Sequence, residues 1–355
     1  MILRLIQTES NRAEEALFNA AALSLFEYQF NRNPAYRQFA LSQKKEPKQL
    51  RRWEEIPFLP VMAFKLLDIA CRPVSEAKRV FHSSGTTRTD RSRHYLFDLE
   101  ISKAAILSHF GKHLMPEGKR MRLAILTPSP EEAPDSSLSY MMETVRQAFG
   151  TEESRYYIER GRLQGERLAF DLAESKEPVS LLGTSFSFVH FIDFHEERAF
   201  PVTLPEGSRL MDTGGFKGKS REVSREWIYA MAEARWGIPP EYCVNEYGMS
   251  EISSQFYDRI VGRDSLRVYA PPPQVRTRVL SPETLRPVAK GEIGLLAHLD
   301  LANVDSVAAI LTEDIGREVD GGFLVIGRAS GAAAKGCSLT LDDLLGKGSL
   351  PGAGR

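Results

Sequence analysis

Between Val80 and Gly248, short apolar runs alternate with amphipathic stretches, and glycine or proline closes most of them. Such alternation lays strands side by side and returns the chain through helices, which restricts this region to an α/β core with a substantial sheet. Met121–Leu126 reads as a strand, and Ser136 to Phe149 as a helix stopped by Gly150. Val179–Leu182 is another strand, ended by Gly183. Asp98 caps a helix that stops by Pro116. Ser224 caps one that carries Trp227, Ile228 and Met231 and stops at Gly237 and Pro239. Cys243-Val244 opens a short strand before Asn245-Glu246-Tyr247-Gly248.

The flanks differ. Asn11 and Glu14 have the spacing of a capping box, and Leu17, Ala21, Leu25 and Tyr28 give the following helix an apolar stripe. Asn33-Pro34 should end it, and Ile56-Pro57-Phe58-Leu59-Pro60 should be extended. Residues 1–75 therefore read as a helical N-terminal segment. From Arg267 onward, Val275–Leu280, Gly294–Leu299 and Gly322–Ile326 are short strand signals separated by turns, which predicts an antiparallel β subdomain. Residues 346–355 are small and read as a flexible tail. The net charge of −1 gives no reason to expect nucleic acid as a partner, and no apolar run is long enough to span a bilayer. The start is a poor signal peptide, and the three cysteines, Cys71, Cys243 and Cys337, have no zinc or disulfide spacing. A reducing cytoplasm is the expected location.

The chemistry concentrates in Phe81–His94, FHSSGTTRTDRSRH. Ser83-Ser84-Gly85-Thr86-Thr87 places four hydroxyls around one glycine, and Arg88, Arg91 and Arg93 follow. Glycine allows a tight turn whose N–H groups converge on an anion, while hydroxyls and guanidinium groups add donors. This suits a polyphosphate, although the spacing is not that of a Walker loop. Ser-Gly-Thr-Thr by itself also fits a solvated turn, but the short apolar segment before it and the basic cluster after it favour the phosphate reading.

Ser84-Gly85-Thr86-Thr87 with a later cation resembles the phosphate loop of adenylate-forming enzymes, with Arg88 where glycine is usual and Arg91 where lysine is usual. Glu246-Tyr247-Gly248-Met249-Ser250-Glu251 resembles the same superfamily's Y-G-x-T-E block. The resemblance implies that Tyr247 stacks on adenine beside Gly248, that the Ser250 hydroxyl, in place of threonine, reaches the α-phosphate, and that Glu251 holds Mg²⁺. Gly214-Gly215 resembles a turn against adenine. Thr312-Glu313-Asp314 resembles T-G-D, implying that Asp314 accepts the ribose hydroxyls, and Gly327-Arg328 resembles the hinge Gly-Arg, whose guanidinium reaches the nucleotide. Each block alone is weak, but four in order on one chain make a nucleotide site.

The phrases IPFLPVMAFK, VFHSSGTT, SSLSYMME, DTGGFKGKSREVS, NEYGMSEISSQFYD and GRASGAAAKGCSL resemble the LuxE-type acyl-protein synthetases over residues 30–345. The resemblance implies the large-domain fold of the adenylate-forming enzymes, with mixed sheets and helices. Only 27 residues follow Arg328, so the usual C-terminal small domain is expected to be largely absent. The expected division is 1–75, an acyl-adenylating core over 76–327, and a short segment over 328–355. Lys217 and Lys335 are the candidates for the lysine that the small domain would supply. The implied activity is ATP- and Mg²⁺-dependent formation of acyl-AMP from a carboxylic acid, typically a fatty acid. Transfer to Cys337 follows, then to an acyl-reductase or acyl-carrier partner. Cys71 and Cys243 read as structural.

Two other activities fit the same residues: a stand-alone acyl-CoA ligase, and a nucleotide- or acyl-binding protein with impaired catalysis. Gly183-Thr184-Ser185-Phe186-Ser187-Phe188 lacks the second glycine of a hydrolase elbow, so its phenylalanines either line an acyl pocket or pack the core. His109 and His113 share a helix face without a third ligand and read as surface residues rather than a zinc site.

Overall fold

A computed structural model describes residues 1–7, 12–83, 91–198, 201–214, 223–263 and 265–329, with the side chains of 12–14 excepted. Helices α1 (Ile2–Ile6), α2 (Arg12–Arg32) and α3 (Pro34–Ser42) lead to strand β1 (Leu59–Pro60) and helix α4 (Ala63–Leu66). Strands β2 (Arg79–His82) and β3 (Arg93–Leu96) precede α5 (Leu99–Leu114). Then come β4 (Arg122–Leu126), α6 (Ser137–Phe149), β5 (Arg155–Tyr156), β6 (Ile158–Glu159), β7 (Arg162–Leu163) and α7 (Gly165–Ala173). These are followed by β8 (Val179–Thr184), α8 (Ser185–Arg198), β9 (Arg209–Thr213), α9 (Arg225–Trp236), β10 (Cys243–Tyr247) and β11 (Phe256–Tyr257). The described chain ends in β12 (Val275–Leu280), β13 (Ile293–Asp300), β14 (Ala309–Val319) and β15 (Gly322–Arg328). Two compact units result. One holds Met1–Ala104, Met249–Ser254 and the chain from Pro271, and the other holds Ala105–Gly248 and Gln255–Ala270.

The second unit is built on a six-stranded sheet in the order β11-β10-β9-β8-β4-β5. All its pairings are parallel except β10 with β11. Successive residues point to opposite faces, and both faces are covered. Ala124, Leu126, Leu181, Leu210 and Cys243 pack under α7, α8 and α9, while Leu123, Ile125, Leu182, Met211 and Val244 pack under α5 and α6. This explains why the strands read as continuous apolar runs. Ser224 accepts from the Trp227 N–H, as expected of a cap, and Ser136, read as the start of its helix, is its cap and accepts from the Ser139 N–H. Gly183 does not end its strand. It lies within β8, where a Cβ would come 2.9 Å from Leu126 Cβ and 3.3 Å from the Phe188 ring.

In the first unit, β12, β13, β14 and β15 form the expected antiparallel sheet, and β1 joins it in parallel on β14. Pro34 does end α2, but Asn33 at once caps α3 by accepting from the Tyr36 N–H at 3.1 Å. The buried stripe of α2 runs through Phe18, Ala21, Ala22, Leu25, Phe26 and Phe30, with Leu17 and Tyr28 at its margins. Leu299, Leu301, Ala309 and Ile310 share that core. The Asn11 cap lies outside the described residues.

Candidate active site

In the first unit, β2 and β3 pair antiparallel, with His82 opposite Arg93. At the end of this hairpin the Arg91 Nε–H donates to Ser83 O at 2.7 Å, and the Ser92 N–H donates to Ser83 Oγ at 2.9 Å. His94, buried on β3, donates from Nδ1 to Ser250 O at 2.8 Å. Burial pushes its pKa down to about 4, so this ring is neutral. The β2–β3 hairpin is thus bonded directly to the Ser250-Glu251 backbone.

Glu251 is buried, and desolvation pushes its carboxyl pKa up, opposed by the Ser92 hydroxyl and the charges of Lys65 and Arg328. Its loop is held by Asn303, which accepts from the Ser253 N–H at 2.9 Å and donates to Glu251 O at 2.8 Å. Asp300 accepts from the Ser254 N–H and hydroxyl at 2.8 and 2.9 Å, and burial pushes its pKa up to about 6. Asp314 stands opposite Arg328 across β14 and β15, with 3.4 Å between Oδ1 and Nε. The β13–β14 register shifts between Leu295 and Ala297, so Thr312-Glu313-Asp314 bulges. Thr312 fixes the bulge by donating to Leu296 O at 2.8 Å and accepting from the Asp314 N–H at 3.0 Å. Arg91, Ser250, Glu251, Asp314 and Arg328 all belong to this one unit.

In the second unit, Thr213 and Glu246 are register partners at the carboxyl ends of parallel strands β9 and β10, where α/β sheets bind ligands. Gly214 follows Thr213 with φ +72, a left-handed conformation that favours glycine. Gly214 and Gly248 both expose their backbone. The Tyr247 ring is half-buried, 5.7 Å from the rings of Phe256 and Tyr269. Beneath lies a buried polar network. Asp212 accepts from Ser185 at 2.7 Å, Tyr229 at 2.5 Å and Asn245 at 2.9 Å. Thr213 donates to Glu246, whose carboxyl burial pushes up to about 7.

Ser84, Gly85, Thr86, Thr87, Gly215, Lys217, Lys335 and Cys337 lie outside the described residues. Cys71 and Cys243 are buried thiols, and burial raises both pKa values, that of Cys71 to about 12, as their structural reading requires. His109 and His113 are not surface residues. They are buried, with ring centroids 4.2 Å apart, and pack on Tyr257. The helix face that seemed solvated faces the sheet. Among the described residues, no group of three His, Cys, Asp or Glu side chains is placed to hold a metal. Phe188 is fully buried in the core with Trp236, whereas Phe186 is half-buried against His190.

Sequence reasoning missed three contributors. Lys65 lacked a motif of its own, although it ends the phrase IPFLPVMAFK. Asn303 gives no local signal because its partners are Ser253 and Glu251. Glu246 was visible only as the residue before Tyr247.

The sequence profile of the family described as "Acyl-protein synthetase, LuxE" matches residues 6–346. The chain belongs to the LuxE acyl-protein synthetase family. The long-chain-fatty-acid–luciferin-component ligase of Aliivibrio fischeri is 24% identical over 338 residues, covering 91% of this chain and 87% of its own. The enzyme of that name from Vibrio harveyi is 23% identical over 354 residues, covering 94% and 90%. Among solved structures, 2-hydroxyisobutyryl-CoA ligase in its postadenylation state superposes with a TM-score of 0.68 at 15% identity, covering 91% of this chain and 69% of that one. The fold is therefore that of the adenylate-forming ligases. As a LuxE-family ligase, the protein activates a carboxylic acid with ATP as acyl-AMP and passes the acyl group on.

Proposed function

We propose that the acid is a long-chain fatty acid and that its acyl group passes through Cys337 to a protein partner, an acyl reductase or an acyl carrier. The fatty acid is named for the Aliivibrio and Vibrio relatives, which align along nearly their whole lengths. In this reading Ser84, Gly85, Thr86, Thr87 and Arg91 hold the β- and γ-phosphates. Tyr247, Gly248, Gly214 and Gly215 hold the adenine, the Ser250 hydroxyl reaches the α-phosphate, and Asp314 and Arg328 hold the ribose. Lys217 is the candidate cation for the acyl carboxylate. Residues 76–327 form the adenylating core after the helical segment 1–75, and 328–355 carries the acyl acceptor. A reducing cytoplasm would keep Cys337 a thiol.

The observation that carries this reading is the bonding of the hairpin that bears the glycine-hydroxyl segment to Ser250-Glu251, in the unit that also holds Asp314 and Arg328. Magnesium fits the donor set. Glu251 is a buried carboxylate whose ionised form a divalent cation would stabilise, and Mg²⁺ commonly takes one or two carboxylates together with substrate phosphates. When bound, it would neutralise charge on the phosphates.

In the first step a carboxylate oxygen bonds to the α-phosphorus, and the α–β bridging bond breaks to release pyrophosphate. The protein positions the two reactants and matches the developing charge. In the second step the Cys337 thiol loses its proton, the sulfur bonds to the acyl carbon, and AMP leaves. Glu251→Ala should abolish acid-dependent ATP–pyrophosphate exchange, and exchange at the wild-type rate would refute its role. Cys337→Ala should keep exchange and lose hydroxylamine-labile acyl labelling. Labelling that survives would place the acceptor elsewhere.

A further inference from the structure

Glu246 is a buried carboxyl one residue before the tyrosine assigned to the adenine. Its Oε2 accepts from the Thr213 hydroxyl on the adjacent strand. Its Oε1 sits against the glycine two residues on: a Cβ built on Gly248 would collide with it. The side chain thus curls back under its own turn, between the carboxyl end of β9 and the backbone of Gly248. With glycine at 248, the carboxyl occupies the space a side chain would take, and any larger residue there would displace it.

We propose that Glu246 is a positioning residue that sets the Tyr247-Gly248 turn for nucleotide binding, with its carboxylate form holding the turn through Thr213. The proposal rests on the assignment of Tyr247 to the adenine. A carboxylate accepts the Thr213 proton without reservation, whereas a protonated carboxyl must also place a donor of its own in this tight space. The turn should therefore be better ordered when Glu246 is ionised.

Its surroundings make that ionisation conditional near neutrality. Burial pushes the pKa up to about 7, the Thr213 bond opposes it, and Asp212 on β9 adds to it. Tyr257 on β11 faces Glu246 in register as a neutral phenol, since burial holds its pKa well above the usual value. His109 and His113 of α5 pack on Tyr257, and burial lowers both their pKa values, so they add no charge at neutral pH.

The test compares the wild-type chain with Glu246→Gln, an isostere that stays neutral at every pH. The KM for ATP and kcat are read separately by ATP–pyrophosphate exchange between about pH 6 and pH 8, a range that brackets the shifted carboxyl. Taking the ratio of the two KM values cancels the titration of ATP itself. The ratio of variant to wild type should lie near unity at the acid end. It should rise with pH, by about tenfold for each unit by which binding moves the Glu246 pKa, with kcat changing much less. Thr213→Val, which removes the bond favouring the carboxylate, should move the rise to higher pH. A ratio that is flat across the range, or a Thr213→Val profile that coincides with wild type, overturns the proposal. Wild-type exchange with a flat ratio sinks this inference alone, whereas no acid-dependent exchange in the wild type sinks the functional reading and this inference with it.

Discussion

Lys65 is a half-buried lysine with no ion pair among the described residues, yet its charge acts on the buried Glu251 carboxyl. Its place is set in two steps. Leu59-Pro60 pairs with Ile310-Leu311, and the Val61 N–H donates to Leu311 O at 2.9 Å, so α4 begins beside β14 just before the Thr312–Asp314 bulge. The Phe64 ring then meets His94 edge-on at 6.1 Å. A lysine tethered in this way suits the anionic substrate. Lys65→Met should raise the KM for ATP about tenfold, the size expected for losing one charge-assisted hydrogen bond. Lys65→Arg should recover most of the loss. An unchanged KM in Lys65→Met would show that its charge serves only Glu251. None of this was legible at residue 65, whose sequence neighbours are Phe64 and Leu66 and whose partner in charge is 186 positions away.

At the scale of elements, turn and cap chemistry carried most of the information. Ser136, Ser224 and Asn33 cap their helices because a short side-chain acceptor satisfies an N–H that the first turn leaves unpaired. Strand β14 was missed, although it pairs with β1, β13 and β15. Its bulge at Thr312–Asp314 breaks the alternation by which a strand is recognised, and beyond that bulge Asp314 stands opposite Arg328. Gly183 misled in the opposite way. Its place after an apolar run signals a stop, but it is the point where β8 passes close to Leu126 and Phe188. Gly183→Ala should overpack this contact and lower stability by about 1–3 kcal/mol. Urea unfolding at constant pH measures this, and a loss below about 0.5 kcal/mol would mean that the layers yield easily.

At the scale of the whole molecule, five buried histidines (His94, His109, His113, His195 and His298) have pKa values lowered by burial, and both units contain some of them. A histidine held neutral in the fold takes up its proton only in the unfolded chain, so its contribution is complete above about pH 6.5 and is lost as the pH falls toward the folded value. For His298 that value is about 3. Glu246 and Asp300 act in the opposite sense. Their raised pKa values, about 7 and about 6, add stability on the acid side that is lost as the pH rises through the folded values. The histidine share can be isolated with His298→Gln. The stability advantage of wild type over this variant should shrink from pH 7 to pH 5, by up to about 1.4 kcal/mol per pH unit. A difference that stays constant with pH would show that His298 titrates alike in both states. Taken alone, the sequence determined the strand and helix alternation, the caps and the family phrases, because these depend on residues within one turn or one motif. Tertiary structure decided that His109 and His113 are buried, that β14 is paired along both its edges, and that Asn303 holds the Glu251 loop. Burial and strand register are properties of partners brought together from distant positions, as when Gln29 donates to Asn303 O across 274 positions, and no local pattern encodes them.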